Sequence, residues 1–409
     1  MKLTKYLEPK AFKSPIANYS NRKLNRLALL FVVFELINVV GFISINVPYI
    51  LFVGCIVIPV LYIAYSQGCR FQISYVLFFT YLCLNVAICN PPSLFKSWPR
   101  LALFILLLFC CSPSLQSMSL RYFRFKTFTY SIHLFLILSV LSFFCYFAGI
   151  NYNTSIWVSH YANLSQSGIF SGLFWSSMIL GPVSAIGACY AIWMYLQTKK
   201  KIWLVFAVAA LGATMFSSSR SAVYGCAAAC ITIFYYSEKH RTQSLKKLLA
   251  VMIIATLSFP LWEGALSGIN QKNAASESLG AYGTRTDKFE ARFAEIESNP
   301  VLGVGFAAID VNGSDVYDPK TGTVEPGSSW LCIMSMTGIT GLIFVLSFFM
   351  RAFNAARQTS SIYGPLVCGL IIFFSFHYLF EGYALAGGSI LCFISWLIIG
   401  VGTDFNYER

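Results

Sequence analysis

The chain has 409 residues, of which 57% are hydrophobic and 11% charged; its mean hydropathy is +0.67 and its formal net charge +13. This composition excludes an ordinary soluble domain and indicates a polytopic membrane protein. The positive excess calls for no nucleic acid: it is the bias of a chain threading a bilayer, with some attraction to anionic lipid heads.

The first 26 residues are basic and polar and read as a cytoplasmic tail without a cleavable signal peptide. Apolar runs for helices crossing an ~30 Å hydrocarbon core then fall near 27–46, 47–65, 71–89, 101–112, 128–150, 169–195, 202–217, 221–236, 248–263, 328–350, 362–380 and 384–402, of which the fourth, seventh and eighth are short. The expected fold is all-α, because the alternating ten-residue strands of a membrane barrel are missing from the pattern. It comprises about twelve transmembrane helices in a single membrane domain, 27–402, followed by a cytoplasmic tail at 403–409. With both termini inside, 21 Lys and Arg fall on the inner side and 8 on the outer. By the positive-inside rule the long polar segment 265–327 is therefore extracytoplasmic.

Two outer connections precede that segment, Asn90–Arg100 and Gly149–Ser167. The second has no Lys or Arg but offers Tyr152, Trp157, His160 and Tyr161, a face suited to stacking on sugars or to the ordinary interfacial belt. Glu35, in the first span, is an intramembrane acid and a default site candidate, expected about 12 Å along its helix in the cytoplasmic half. Cysteines number thirteen; most lie in apolar runs, as small packing residues do, and their spacing suggests no zinc site.

Segment 265–327 holds 14 of the 45 charged residues, so the non-membrane chemistry is expected there. Asp287 to Glu290 reads as a capped helix start, and Phe289, Phe293 and Ile296 recur at helical spacing, predicting a short amphipathic helix lying on the membrane domain. Asn299-Pro300 should end it, and Gly303 and Gly305 permit a tight path onward. The stretch Gly303–Ala308 formally fits a dinucleotide fingerprint but lacks a surrounding βαβ unit. Asp310–Asp315 resembles a calcium loop with its glycine misplaced.

With this topology, spans 6, 8, 10 and 12 present their N-termini to the outer face, where unsatisfied N–H groups attract phosphate. Arg220 opens span 8 and Ser328-Ser329 open span 10; with Arg285 and Arg292 from the loop they would form a cationic pocket for a lipid-linked pyrophosphate, arginine being suited to bidentate binding. The structural alternatives are a snorkelling anchor for Arg220 and a solvated helix face, paired with Glu290 or Glu295, for the loop arginines. Glu325, just before span 10, is a candidate acceptor base, and His160, His377 and Glu381 are further candidate bases and substrate contacts.

Three stretches resemble the bacterial O-antigen ligase and polymerase superfamily. They are Ser218-Ser219-Arg220-Ser221-Ala222; Gly283-Thr284-Arg285-Thr286-Asp287-Lys288-Phe289 with Ile296 to Gly305; and Glu325 to Trp330 with Gly338-Ile339-Thr340-Gly341. The likeness covers mainly residues 217–345. It implies a GT-C-like glycosyltransferase of the bacterial inner membrane, metal-independent and without cofactor, with its active site on the periplasmic face. It also implies that Arg220 and Arg285 contact a polyprenyl-diphosphate glycan donor. Read from residue type and position, Glu325 would complete a catalytic trio with them, and Arg292, Ser328, Ser329, His160, His377 and Glu381 would contact substrate. Where ligases of this family commonly carry a His-Asn pair, this chain has Glu325-Pro326-Gly327. Gln166-Ser167-Gly168-Ile169-Phe170 also lacks an arginine often found there. The first departure favours the repeat-unit polymerase branch, with chain-length regulator and flippase proteins as partners. A ligase and a lipid-linked oligosaccharide flippase are the rivals, but a flippase should line the membrane midplane with its charges.

Overall fold

The computed structural model describes residues 21–43, 49–89, 96–152, 170–237, 283–308, 317–318, 323–324 and 327–408. The described chain is mainly helical, in the order α1 (Arg22–Val39), α2 (Tyr49–Phe52, a π turn Val53–Val57, then Ile58–Ser66), α3 (Ile73–Cys89), α4 (Ser97–Cys111), α5 (Met118–Phe147), α6 (Ser177–Thr198), α7 (Ile202–Phe216), α8 (Arg220–Ser237), α9 (Gly283–Ser298), α10 (Ser329–Gln358), α11 (Gly364–His377) and α12 (Ile390–Asp404), with a 3-10 turn Phe405–Glu408. Eleven of the twelve expected spans coincide with helices; the ninth, 248–263, lies outside the described residues. By length and composition α5, α6 and α10 are each able to cross a bilayer, and the chain is an integral membrane protein.

Packing sorts the helices into layers. Nearly every residue of α6 and α12 is buried, so these two form the centre. Large apolar side chains on α1, α3, α5 and α7, such as Leu30, Leu77, Phe144 and Val205, remain exposed, as expected of a surface that faces lipid. Two antiparallel pairs, Arg70–Phe71 with Leu115–Gln116 and Tyr317–Asp318 with Thr323–Val324, complete the regular structure.

Several boundaries differ from the sequence reading. Helix α1 starts at an Asn21 cap, whose Oδ1 accepts from the Lys23 and Leu24 amides. It ends at Val39, because Val40 and Gly41 turn to bond with Phe174 and Leu173. Glu35 therefore stands in the last turn of α1, not in its first half. Helix α5 begins ten residues earlier than its apolar run, so Arg124 is no connecting-loop charge. It is fully buried, binding Asp404 through Nε at 2.7 Å and Nη2 at 2.8 Å and donating through Nη1 to the Ser112 carbonyl at 2.9 Å. One of the basic residues counted toward topology is thus an internal clamp between α5 and the end of α12.

Candidate functional site

One end of the bundle gathers the candidate residues. Ser328 caps α10, its hydroxyl accepting from the Leu331 amide and donating to the Tyr378 carbonyl. Ser329 is fully buried; its hydroxyl donates to the Glu381 carbonyl at 2.5 Å and accepts from the Tyr383 and Ala384 amides. Both hydroxyls thus hold the turn after α11 against the start of α10. Glu381 accepts at Oε1 from the Ser221 hydroxyl at 3.4 Å, which ties the same turn to the first turn of α8. There Arg220 is exposed at the leading position. His377, buried at the end of α11, stacks on Phe373, and its Nδ1 lies 2.8 Å from the Tyr383 hydroxyl. Burial pushes the Tyr383 phenol well above its usual pKa, so that group stays protonated beside the imidazole.

Helix α9 packs against α10 with a face different from the expected one. It starts at Gly283, ahead of the Asp287 read as its cap, and it buries Lys288, Arg292 and Ile296, whereas Phe293 is exposed. Spaced four apart, the three buried positions form one stripe, and at its centre sits a guanidinium only 1% exposed. Arg292 Nη1 pairs with Glu295 at 2.8 Å and reaches the Ser335 hydroxyl at 3.4 Å. Its Nε and Nη2 have no hydrogen-bond partner among the described residues. The solvated-face alternative for Arg292 is thereby overturned, although its pairing with Glu295 is present. A buried donor without an acceptor costs roughly 1–3 kcal/mol, more when charged, and this guanidinium is paired on one nitrogen and under-satisfied on the other two.

The path after α9 explains its glycines. Inside α10, Gly338 adopts φ 61°, ψ −173° and interrupts the helix, a region open essentially to glycine alone. The turn 299–306 fills the interruption: Val304 N–H donates to Ser335 O (2.8 Å), Gly305 N–H to Met336 O (3.1 Å), and Ile339 N–H to Pro300 O (2.9 Å). Backbone groups that α10 would have paired internally are satisfied by the turn instead. A Cβ on Gly338 would overlap the Val301 carbonyl, and one on Gly303 the Ser335 carbonyl. From α3, Asn85 reads the turn on both sides, donating to Leu302 O at 2.6 Å and accepting from Phe306 N–H at 2.7 Å. Tyr81 donates to Thr337 O at 2.5 Å. Asn85 and Tyr81 escaped the sequence analysis; the only signal was a lone amide in an otherwise apolar run.

Gly327 packs on Lys288, its virtual Cβ 3.2 Å from that of the lysine, so α9 begins beside the start of α10. Arg285 lies on the first turn of α9, about 5 Å of helix rise before Lys288; its side chain, Glu325 and His160 fall outside the described residues. The structure thus ties the starts of α8, α9 and α10, with Glu381 and His377, to one end of the bundle. For a metal, the thiols of Cys189, Cys226 and Cys230 lie within 4.8 Å of one another between α6 and α8, a cluster across two helices that spacing in sequence does not reveal.

No curated protein matches the chain significantly. The family model for O-antigen ligase matches residues 205–346, a stretch that runs from α7 past the Gly338 break and takes in Arg220, Arg285, Arg292, Ser328 and Ser329. That match supports a relationship to the O-antigen ligase/polymerase superfamily over residues 205–346.

Proposed function

We propose that this chain is a repeat-unit polymerase of a bacterial surface polysaccharide, O-antigen or capsule. It would transfer a glycan from polyprenyl diphosphate to a hydroxyl of the next lipid-linked unit. The observation that carries this reading is the sealed guanidinium of Arg292, with two nitrogens unmatched, on the helix that also bears Arg285 and beside the cluster of helix starts. A diphosphate would supply the missing acceptors.

In the reaction, the acceptor hydroxyl loses its proton to Glu325 and attacks the anomeric carbon, and polyprenyl diphosphate departs with the bonding electrons. Arg220 and Arg285 stabilise the negative charge growing on that leaving group, a role worth several kcal/mol in the transition state. The diphosphate bond already stores the driving force, so neither nucleotide nor metal is required. The site faces the periplasm of the inner membrane, where flippase and chain-length proteins would meet it. A ligase reading shares every step except the acceptor; Glu325-Pro326-Gly327 in place of a His-Asn pair favours the polymerase.

Incubating the purified chain with one synthetic lipid-linked repeat and a chelator should give a ladder. Arg285→Ala should abolish it, and Arg292→Gln should shorten it at least about tenfold in rate, the worth of one charged hydrogen bond. In cells, a deletion leaving single repeats on the surface supports the polymerase. Polymer stranded on its lipid would mean a ligase, and single units trapped inside a flippase.

A further inference from the structure

A cavity of about 570 Å³, within the range of small-molecule sites, opens between the last turn of α1 and the starts of α4, α6, α10 and α12. Phe306 and Ala307, from the turn seated in the α10 break, form part of its wall, as do Cys332 and Met336 of α10. The Arg292 contact at Ser335 lies on the same two turns of α10, between the two cavity-lining residues in sequence.

Its polar groups are few and specific. Glu35 is only 6% exposed yet lines the cavity, and Asn38, three residues on and so on the same helix face, lines it too, its Nδ2 buried without a hydrogen-bond partner. Arg100 also lines it, from α4, and the half-exposed Trp175 contributes an indole to the wall.

We propose that this cavity binds the acceptor saccharide of the lipid-linked unit, with Glu35 and Asn38 holding adjacent sugar hydroxyls; the assignment rests on the polymerase reading. The chemistry selects the ligand. An acyl chain would strand a carboxyl and an amide in hydrocarbon, and a cation would meet Arg100. A neutral sugar satisfies all of them: its hydroxyls both donate to and accept from the carboxyl and accept from the amide, about 5 Å apart along the helix, and its C–H face lies on the indole.

The test places a thiol in the cavity wall at a partly exposed position, Ser389→Cys, and follows its alkylation by N-ethylmaleimide through mass spectrometry of the peptide containing it. The probe is the lipid-linked repeat isolated from a host strain lacking this chain. The repeat should slow alkylation, whereas bare polyprenyl diphosphate should not. Glu35→Gln and Asn38→Ala should each raise the repeat concentration for half-protection about tenfold, and Trp175→Ala, at a half-exposed position where folding is not at stake, should do so as well. Equal protection by the bare lipid, or protection unchanged in all three variants, overturns the assignment. Protection without any ladder in the polymerisation assay would instead sink the polymerase reading and leave the saccharide site standing.

Discussion

Replacing Gly338 by alanine probes the joint on which the site is built. The new Cβ cannot coexist with the Val301 carbonyl, and the φ/ψ pair itself costs a residue with a side chain about 1–3 kcal/mol. Relief requires the 299–306 turn to withdraw, which strands the donors and acceptors of three backbone hydrogen bonds: Val304 to Ser335, Gly305 to Met336 and Ile339 to Pro300. Counting only one unsatisfied group per broken bond, at roughly 1–3 kcal/mol each, the low ends of both ranges already total about 4 kcal/mol. Two measurements separate local from global loss. A thermal melt in detergent should fall by several degrees if the bundle loosens as a whole. If only the turn detaches, Cys89, whose thiol now donates to the Gly303 carbonyl at 3.6 Å, should alkylate faster while the melt holds. In both cases the glycan ladder should collapse. A Gly338→Ala variant with an unchanged melt, unchanged Cys89 reactivity and full-length glycan would refute the reasoning.

Asn85→Leu should mimic that defect from the other side, leaving Leu302 O and Phe306 N–H without partners; a loss of about 2–6 kcal/mol is expected, read by the same melt. Its Cys89 should also become more reactive, and wild-type values in both assays would show that the amide is dispensable. Arg124→Met or Asp404→Leu alone should destabilise by about 3–5 kcal/mol, because each leaves an uncompensated buried charge, and the double substitution should recover a substantial part; additive losses in the cycle would argue against a coupled pair.

The polymer physics of a membrane chain was legible in the residues themselves. Long apolar runs broken by short charged connections allow only a helical bundle, since backbone groups in hydrocarbon must be satisfied within the segment, and the helices stand where those runs predict. The loop helix, its end at Asn299-Pro300 and the Ser328 cap followed from local chemistry. Orientation did not. In lipid both faces of a helix are apolar, so the pattern that points a soluble helix at its core is missing; α6 and α12 are buried all round. The same loss of contrast hid the inward turn of Arg292, the role of Asn85, the meeting of Cys189 with Cys226 and Cys230, and an ion pair between Arg124 and Asp404, residues 280 positions apart. Even Gly338, visible as a glycine in a familiar motif, revealed its purpose only once the turn at 299–306 was seen to occupy the break it makes. Composition decided that the chain is a membrane bundle; which polar groups meet inside it depended on helices packing side by side, a choice made by contacts between segments far apart along the chain.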